Sequence, residues 1–167
     1  MDTPDAQWED RLSVVLASID DLPEDEFLAA VLDLTGQLPA DHPVGPFERA
    51  GAYESTGHPD LAVPLYEQAL ANSLQGPRRR RAVIQLASSR RNLGEPEAAL
   101  RLLEEESRRT TDDLDAAVAT FRALVLADLG REREGLACAL QALAGYLPRY
   151  NRSVARYAAA LLDRHDA

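Results

Sequence analysis

The densest run of chemically capable side chains in this 167-residue sequence is Arg78-Arg79-Arg80-Arg81, with Arg90-Arg91 further along the same stretch. A guanidinium is a planar fork of donors that suits a carboxylate or a phosphate. Pro77 immediately precedes the run and opens a helix, so the four arginines occupy its first turn. There each positive charge opposes the helix dipole by about 0.3–1 kcal/mol, while the unpaired N–H groups of the same turn attract an anion. Further along that helix Arg81, Ile84, Gln85, Ser88, Arg91 and Asn92 share one broad face at spacings of three and four. The competing reading is a solvated Arg face whose charges screen one another. Aromatic residues that could stack on bases do not interleave with the cluster, which leaves RNA or anion binding through Arg78–Arg81 as a third-ranked reading.

Other reactive residues point away from catalysis. His42 and His58 sit in X-His-Pro joints and His165 stands near the last residue, none with a His or Cys at metal-ligand spacing. Cys138, the one cysteine, lies among Leu136, Ala137, Ala139 and Leu140, where a thiol behaves as a small hydrophobe. No base is fixed beside it, so nucleophilic chemistry is not expected. The pairs Asp20-Asp21 and Asp112-Asp113 precede or begin helices, and capping explains them. Glycine-rich phosphate loops and Gly-x-Ser-x-Gly turns are missing. The expectation is a protein that is not an enzyme and holds neither cofactor nor metal.

Charge is segregated. Residues 1–44 contain eleven acids and one base, Arg11, so this segment carries the whole net charge of −10 and the remainder is balanced. An acidic chain is a poor general ligand for nucleic acid. The sequence has 28 Ala, 26 Leu, 18 Arg, no Lys and nine aromatic residues, a composition that favours helices and leaves little for a sheet. No run of 18 apolar residues is present, so no membrane span is expected, and the acidic start lacks the charge and apolar core of a secretory signal. A cytoplasmic location is therefore expected.

These residues must be carried by helices, and proline and glycine mark the joints. Thr3-Pro4 reads as a cap, after which Trp8, Leu12, Val15, Leu16 and Ile19 recur at helical spacing. Pro23 opens a second helix with Glu24, Asp25 and Glu26 in its first turn and Phe27, Val31, Leu34 and Leu38 as its stripe. Residues 39–46 hold three prolines in eight and form a joint. A period then sets in. Gly57, Gly94 and Gly130, spaced 37 and 36 residues apart, each end one helical pattern and precede another. Small residues follow the same period, with Ala50, Ala87 and Ala123 in the first helices and Ala62, Ala99 and Gly135 in the second. Three matched helix–turn–helix units at this period indicate an α-solenoid. Pro64 interrupts one of these helices and should cost it a hydrogen bond. The last segment places Tyr150, Val154, Tyr157, Leu161 and Leu162 on one face, with Asn151, Arg152, Arg156 and Arg164 elsewhere, as a terminal helix that closes the stack.

The repeating residues resemble the tetratricopeptide repeat. The first unit, 47–70, has Tyr53, Gly57, Ala62, Tyr66 and Ala69 in place. The second matches through Gln85-Leu86-Ala87, Asn92-Leu93-Gly94 and Ala99 but has Glu106 where a small residue is usual. The third lacks the aromatics and has Gly135 in place of the usual Ala. The runs 85–94, 127–134 and 147–158 are similar to the bacterial, mostly actinobacterial, group-5 tetratricopeptide family. That resemblance implies an all-α, right-handed solenoid of three hairpins over 47–147. An acidic helix pair (1–38) and the joint (39–46) precede it, and a capping helix (148–167) follows, in one structural domain. It also implies that first helices line a concave groove. The expected partner-binding residues are then Arg78, Arg81, Ile84, Gln85, Ser88, Arg91 and Asn92, with Phe47 and Glu54. The expected function is a non-catalytic scaffold binding another protein or peptide, through an acidic or C-terminal segment. The alternative is a self-associating module, such as a homodimer, whose groove is filled by its own or a twin's acidic helix.

Overall fold

A computed structural model describes residues 4–109 and 111–163. Thr3, Arg164 and His165 lie outside them. Among the described residues the fold is all helical, with nine helices and no strand. They are α1 (Ala6–Ala17), α2 (Glu24–Thr35), α3 (Val44–Ser55), α4 (Pro59–Ala71), α5 (Gly76–Asn92), α6 (Pro96–Arg109), α7 (Asp115–Asp128), α8 (Glu132–Ala144) and α9 (Asn151–Leu162). None of them is long and apolar enough to cross a membrane. The chain divides into two compact units, Met1–Ser89 and Arg90–Ala167, and so not at the proline-rich joint. The joint is also shorter than 39–46, because Val44, Gly45 and Pro46 already belong to α3.

In the first unit, α1 packs on α2, α2 on α3 and α3 on α4. The cap of α1 is Asp5 rather than Thr3, since the Asp5 carboxylate accepts the Trp8 backbone N–H at 2.8 Å. Trp8 and Leu12 are buried, and the Trp8 indole N–H donates to the Leu34 carbonyl at 3.1 Å. Phe27, Val31 and Ala52 form a buried cluster against which Val15, Leu16 and Ile19 of α1 pack. Ala50, Ala62 and Ala87 are fully buried, as helices in close approach require. α4 runs through Pro64 without interruption. The proline lies beyond the first turn, so the helix forgoes one backbone hydrogen bond there.

The second unit packs α6 on α7, α7 on α8 and α8 on α9 around Leu100, Leu103, Val118, Val125 and Leu126. Glu106 is buried there. Gly135 of α8 meets α7 so closely that an added Cβ would stand 2.7 Å from the Ala123 carbonyl oxygen. Cys138 is half-buried and its thiol donates to the Ala119 carbonyl at 3.3 Å. Helix α9 is rotated relative to the sequence reading. Ala158 is its buried residue, whereas Tyr150 and Tyr157 are exposed. The small Ala155–Ala158 side lets α9 approach α8, and the Gln141 side-chain amide reaches the Ala155 carbonyl at 3.2 Å.

The turn glycines behave as their spacing implies: Gly57, Gly94 and Gly130 have φ of +87°, +80° and +71°. A side chain strains that backbone whatever space surrounds it. Gly145, by contrast, caps α8 in the right-handed region, with φ −64°. Gly94→Val is therefore expected to lose about 1–3 kcal/mol more than Gly145→Val in denaturant titrations. Equal losses would contradict the turn geometry.

Candidate functional site

The Arg cluster opens α5, and its first member is already engaged. Arg78 Nη1 and Nη2 donate to Glu9 Oε1 and Oε2 of α1 at 2.8 and 2.6 Å. Its Nε donates to Glu48 Oε1 of α3 at 2.8 Å. Glu48 is only 5% exposed, so burial pushes its carboxyl above the usual range while the Arg78 hydrogen bond and charge pull it back. Arg78 is itself pushed further up, chiefly by the Glu9 hydrogen bond and against the effect of its own burial. One guanidinium thus joins three helices of the first unit.

One turn on, Arg81 is exposed, and its guanidinium lies 5.4 Å from the centroid of the Phe47 ring. Phe47 is buried and packs at 6.1 Å, tilted by 55°, against the Tyr66 ring. The Tyr66 hydroxyl donates to Glu54 Oε2 at 2.8 Å, while the Ser89 hydroxyl is buried without a hydrogen-bond partner. Burial raises Glu54, and the Tyr66 hydrogen bond opposes it. Tyr66 is pushed up by its burial and by Glu54.

Two cavities flank Arg81. A cleft of about 770 Å³ opens between the start of α3 and the α4–α5 connection, lined by His42, Val44, Leu74, Pro77, Arg78 and Arg81 among others. A smaller recess of about 210 Å³ lies against Leu16, Ile19, Phe27, Phe47, Gly51 and Gln85. Val44 and Leu74 are buried hydrophobics, so the larger cleft pairs apolar wall with cationic rim.

The structure therefore sorts the expected residues. It brings Phe47, Arg78 and Arg81 together, with Gln85 on the recess. Ser88 is half-buried, one turn beyond Gln85. Ile84 is buried in the core and offers no contact surface. Arg91 and Asn92 fall in the second unit, where Arg91 forms a two-point ion pair with Asp128, Nη2 to Oδ1 being 3.2 Å, and Asn92 is exposed. Sequence reasoning missed Glu9 and Glu48, the carboxylates that claim Arg78. It also missed the cleft, whose α4–α5 wall includes Ser73 at φ +63°. Charge segregation pointed to an acidic counterpart without naming a residue.

The remaining candidates do not build a reactive centre. His42 is buried with Nδ1 facing the Val44 N–H at 3.3 Å, and His58 Nε2 lies 2.6 Å from Glu24 Oε1. Asp112 Oδ1 accepts the Leu114 N–H at 2.8 Å in the turn ahead of α7. The cap residues of α7 and α2 are Leu114 and Pro23, neither with a side-chain cap, so the Asp pairs do not cap these helices. No group of three His, Cys, Asp or Glu able to hold a metal occurs among the described residues.

Three helix–turn–helix units closed by positive-φ glycines, with small residues at the helix contacts, set the frame for comparison with known proteins. A family model described as Tetratrico peptide repeat matches residues 43–161, well over half of the chain. The chain belongs to the tetratricopeptide repeat family. Two solved structures share the tetratricopeptide fold. Both come from a Podosopora anserina protein described as a putative kinesin light chain with nearly identical TPR-like repeats, one of them a single-residue variant. Each superposes with a TM-score of 0.66 at 17% identity. The match spans 93% of this chain and 94% of the variant, and 99% and 100% for the other structure. No curated protein matches in sequence. The tetratricopeptide architecture is thus an all-α solenoid of helical hairpins, a fold that generally serves protein–protein interaction.

Proposed function

We propose that this tetratricopeptide protein is a non-catalytic scaffold that binds an acidic segment of another protein at the Arg81 cleft. The observation that carries the reading is Arg81 itself. Its exposed guanidinium is held over Phe47 at the rim of a 770 Å³ cleft whose wall is apolar. A carboxylate can take the fork while neighbouring apolar side chains enter the cleft. The bidentate Glu9 contact favours a companion reading in which α1 is a resident acidic occupant of Arg78. Arg78 and Glu48 already form a neutral pair, so Glu9 is the exchangeable carboxylate. The lone half-buried thiol Cys138 fits a reducing compartment, and we read the scaffold as cytoplasmic.

The test is fluorescence anisotropy with labelled peptides that combine Glu or Asp with Leu. A charge-assisted hydrogen bond is worth about 1.5–3 kcal/mol, so Arg81→Glu should weaken binding by about tenfold or more. Glu9→Gln should strengthen it by freeing Arg78. Binding that is indifferent to Arg81→Glu, with the circular dichroism spectrum unchanged, would overturn the proposal.

A further inference from the structure

The second unit carries a surface that the Arg81 cleft does not use. From Gly135 to Leu162 the sequence has Arg149, Arg152 and Arg156 and no acidic residue. Tyr146, Tyr150 and Tyr157 of the same stretch are exposed by 69%, 76% and 61%. Arg156 lies 5.3 Å from the centroid of the Tyr157 ring, and Leu143 and Leu162 are also exposed. Single exposed apolar residues are ordinary, but Tyr150 and Tyr157, two turns apart, share one side of α9 next to Arg156, and Leu143 and Tyr146 stand at the end of α8 just before them. Tyr and Arg are the residues that dominate the energetics of protein interfaces.

The first unit presents the chemical complement. α1, α2 and their connection carry Asp10, Asp20, Asp21, Asp25, Glu26 and Asp33. Val14 among them is 72% exposed, and Leu22 and Leu32 are exposed as well.

We infer that the Tyr/Arg surface of α8–α9 docks on the acidic α1–α2 surface of a second copy of this chain. Opposite charge sets the pairing, and the exposed tyrosines, Leu143 and Leu162 meet Val14, Leu22 and Leu32. Each copy brings one acidic surface for each Tyr/Arg surface, in a one-to-one ratio that no separate partner guarantees. The two patches differ, so the contact is heterologous and copies join head to tail. With a Debye length of about 10 Å at 0.1 M salt, rim charges in such a contact are screened and assembly weakens as salt rises.

Sedimentation velocity on the full chain over a wide concentration range, at low and high salt, reads this directly. The average mass should rise with concentration and fall with salt. Two variants at exposed positions isolate the faces: Arg149→Glu/Arg152→Glu/Arg156→Glu on one side and Asp21→Arg/Asp25→Arg/Asp33→Arg on the other. Each alone should be monomeric, with the association constant reduced at least tenfold. Mixed, they should associate again, because each retains one intact face and the two reversed faces carry opposite charge. A wild type that stays monomeric throughout, or assembly indifferent to either variant, would overturn the inference. So would a monomeric wild type that retains a single-stranded oligonucleotide and loses it with the Arg variant.

Discussion

Arg78→Leu is expected to destabilise the first unit by about 3 kcal/mol at neutral pH. Removing one partner of a buried ion pair costs about 3–5 kcal/mol, and the lower end applies because Arg78 is 22% exposed. The loss comes less from attraction forgone than from Glu48, left as a buried carboxylate with only the Arg81 charge to oppose its burial. The pH dependence identifies this cause. Burial already raises the Glu48 carboxyl, and without Arg78 the two influences that lower it most are gone. Between the ordinary carboxylate value and the raised one, the folded state binds more protons than the unfolded state. Stability then declines as pH rises through that window and recovers as pH falls. Urea midpoints for Arg78→Leu should therefore approach those of the wild type in acid, and Arg78→Leu/Glu48→Gln should recover part of the loss at neutral pH. A deficit that does not change with pH would assign the cost to lost packing instead.

Gly135→Leu is expected to cost about 3 kcal/mol, at the upper end for overpacked cores. The added Cβ would stand 2.7 Å from the Ala123 carbonyl oxygen, and backbone cannot rotate away as a side chain can. Gly135→Ala should fall between, since it forces the same displacement without the bulk. Thermal or urea unfolding of both variants checks the order. An alanine that is tolerated within a few tenths of a kcal/mol would show that α7 and α8 slide apart easily. This contact also explains why the third repeat departs from the usual Ala at this position. Here the helices meet more closely than a methyl group permits.

The helices themselves were legible because their signals are local. Pro23, Pro59 and Pro96 mark the starts of α2, α4 and α6, and the glycines at 57, 94 and 130 occupy the left-handed turns expected of them. The paired small residues were legible for the same reason, because a recurring Ala or Gly encodes distance between helices. The ligands of Arg78 were not. Glu9 and Glu48 reach it from 69 and 30 residues away, and which of eleven N-terminal acids arrives depends on the rotation of α1. Ile84 shows the limit of periodicity from the other side. It shares the spacing of Arg81 and Ser88, yet a broad helical face spans both groove and core, and the apolar member turned inward. In α9 the tyrosine row looked like the buried stripe, but Ala158 gives a closer approach, and closeness won over bulk.

The hydrogen bond from Cys138 to the Ala119 carbonyl gives the molecule a built-in clock for its own breathing. Burial raises the thiol above its usual titration range, so the reactive thiolate is scarce while α7 and α8 remain together. A maleimide or disulfide reagent should then react slowly at this sulfur, and faster wherever the α7–α8 contact loosens. Because the sequence has a single cysteine, the signal comes from one place and needs no introduced label. Partner binding, truncation and mutation elsewhere in the chain can each be read as a change in the tempo of that one sulfur.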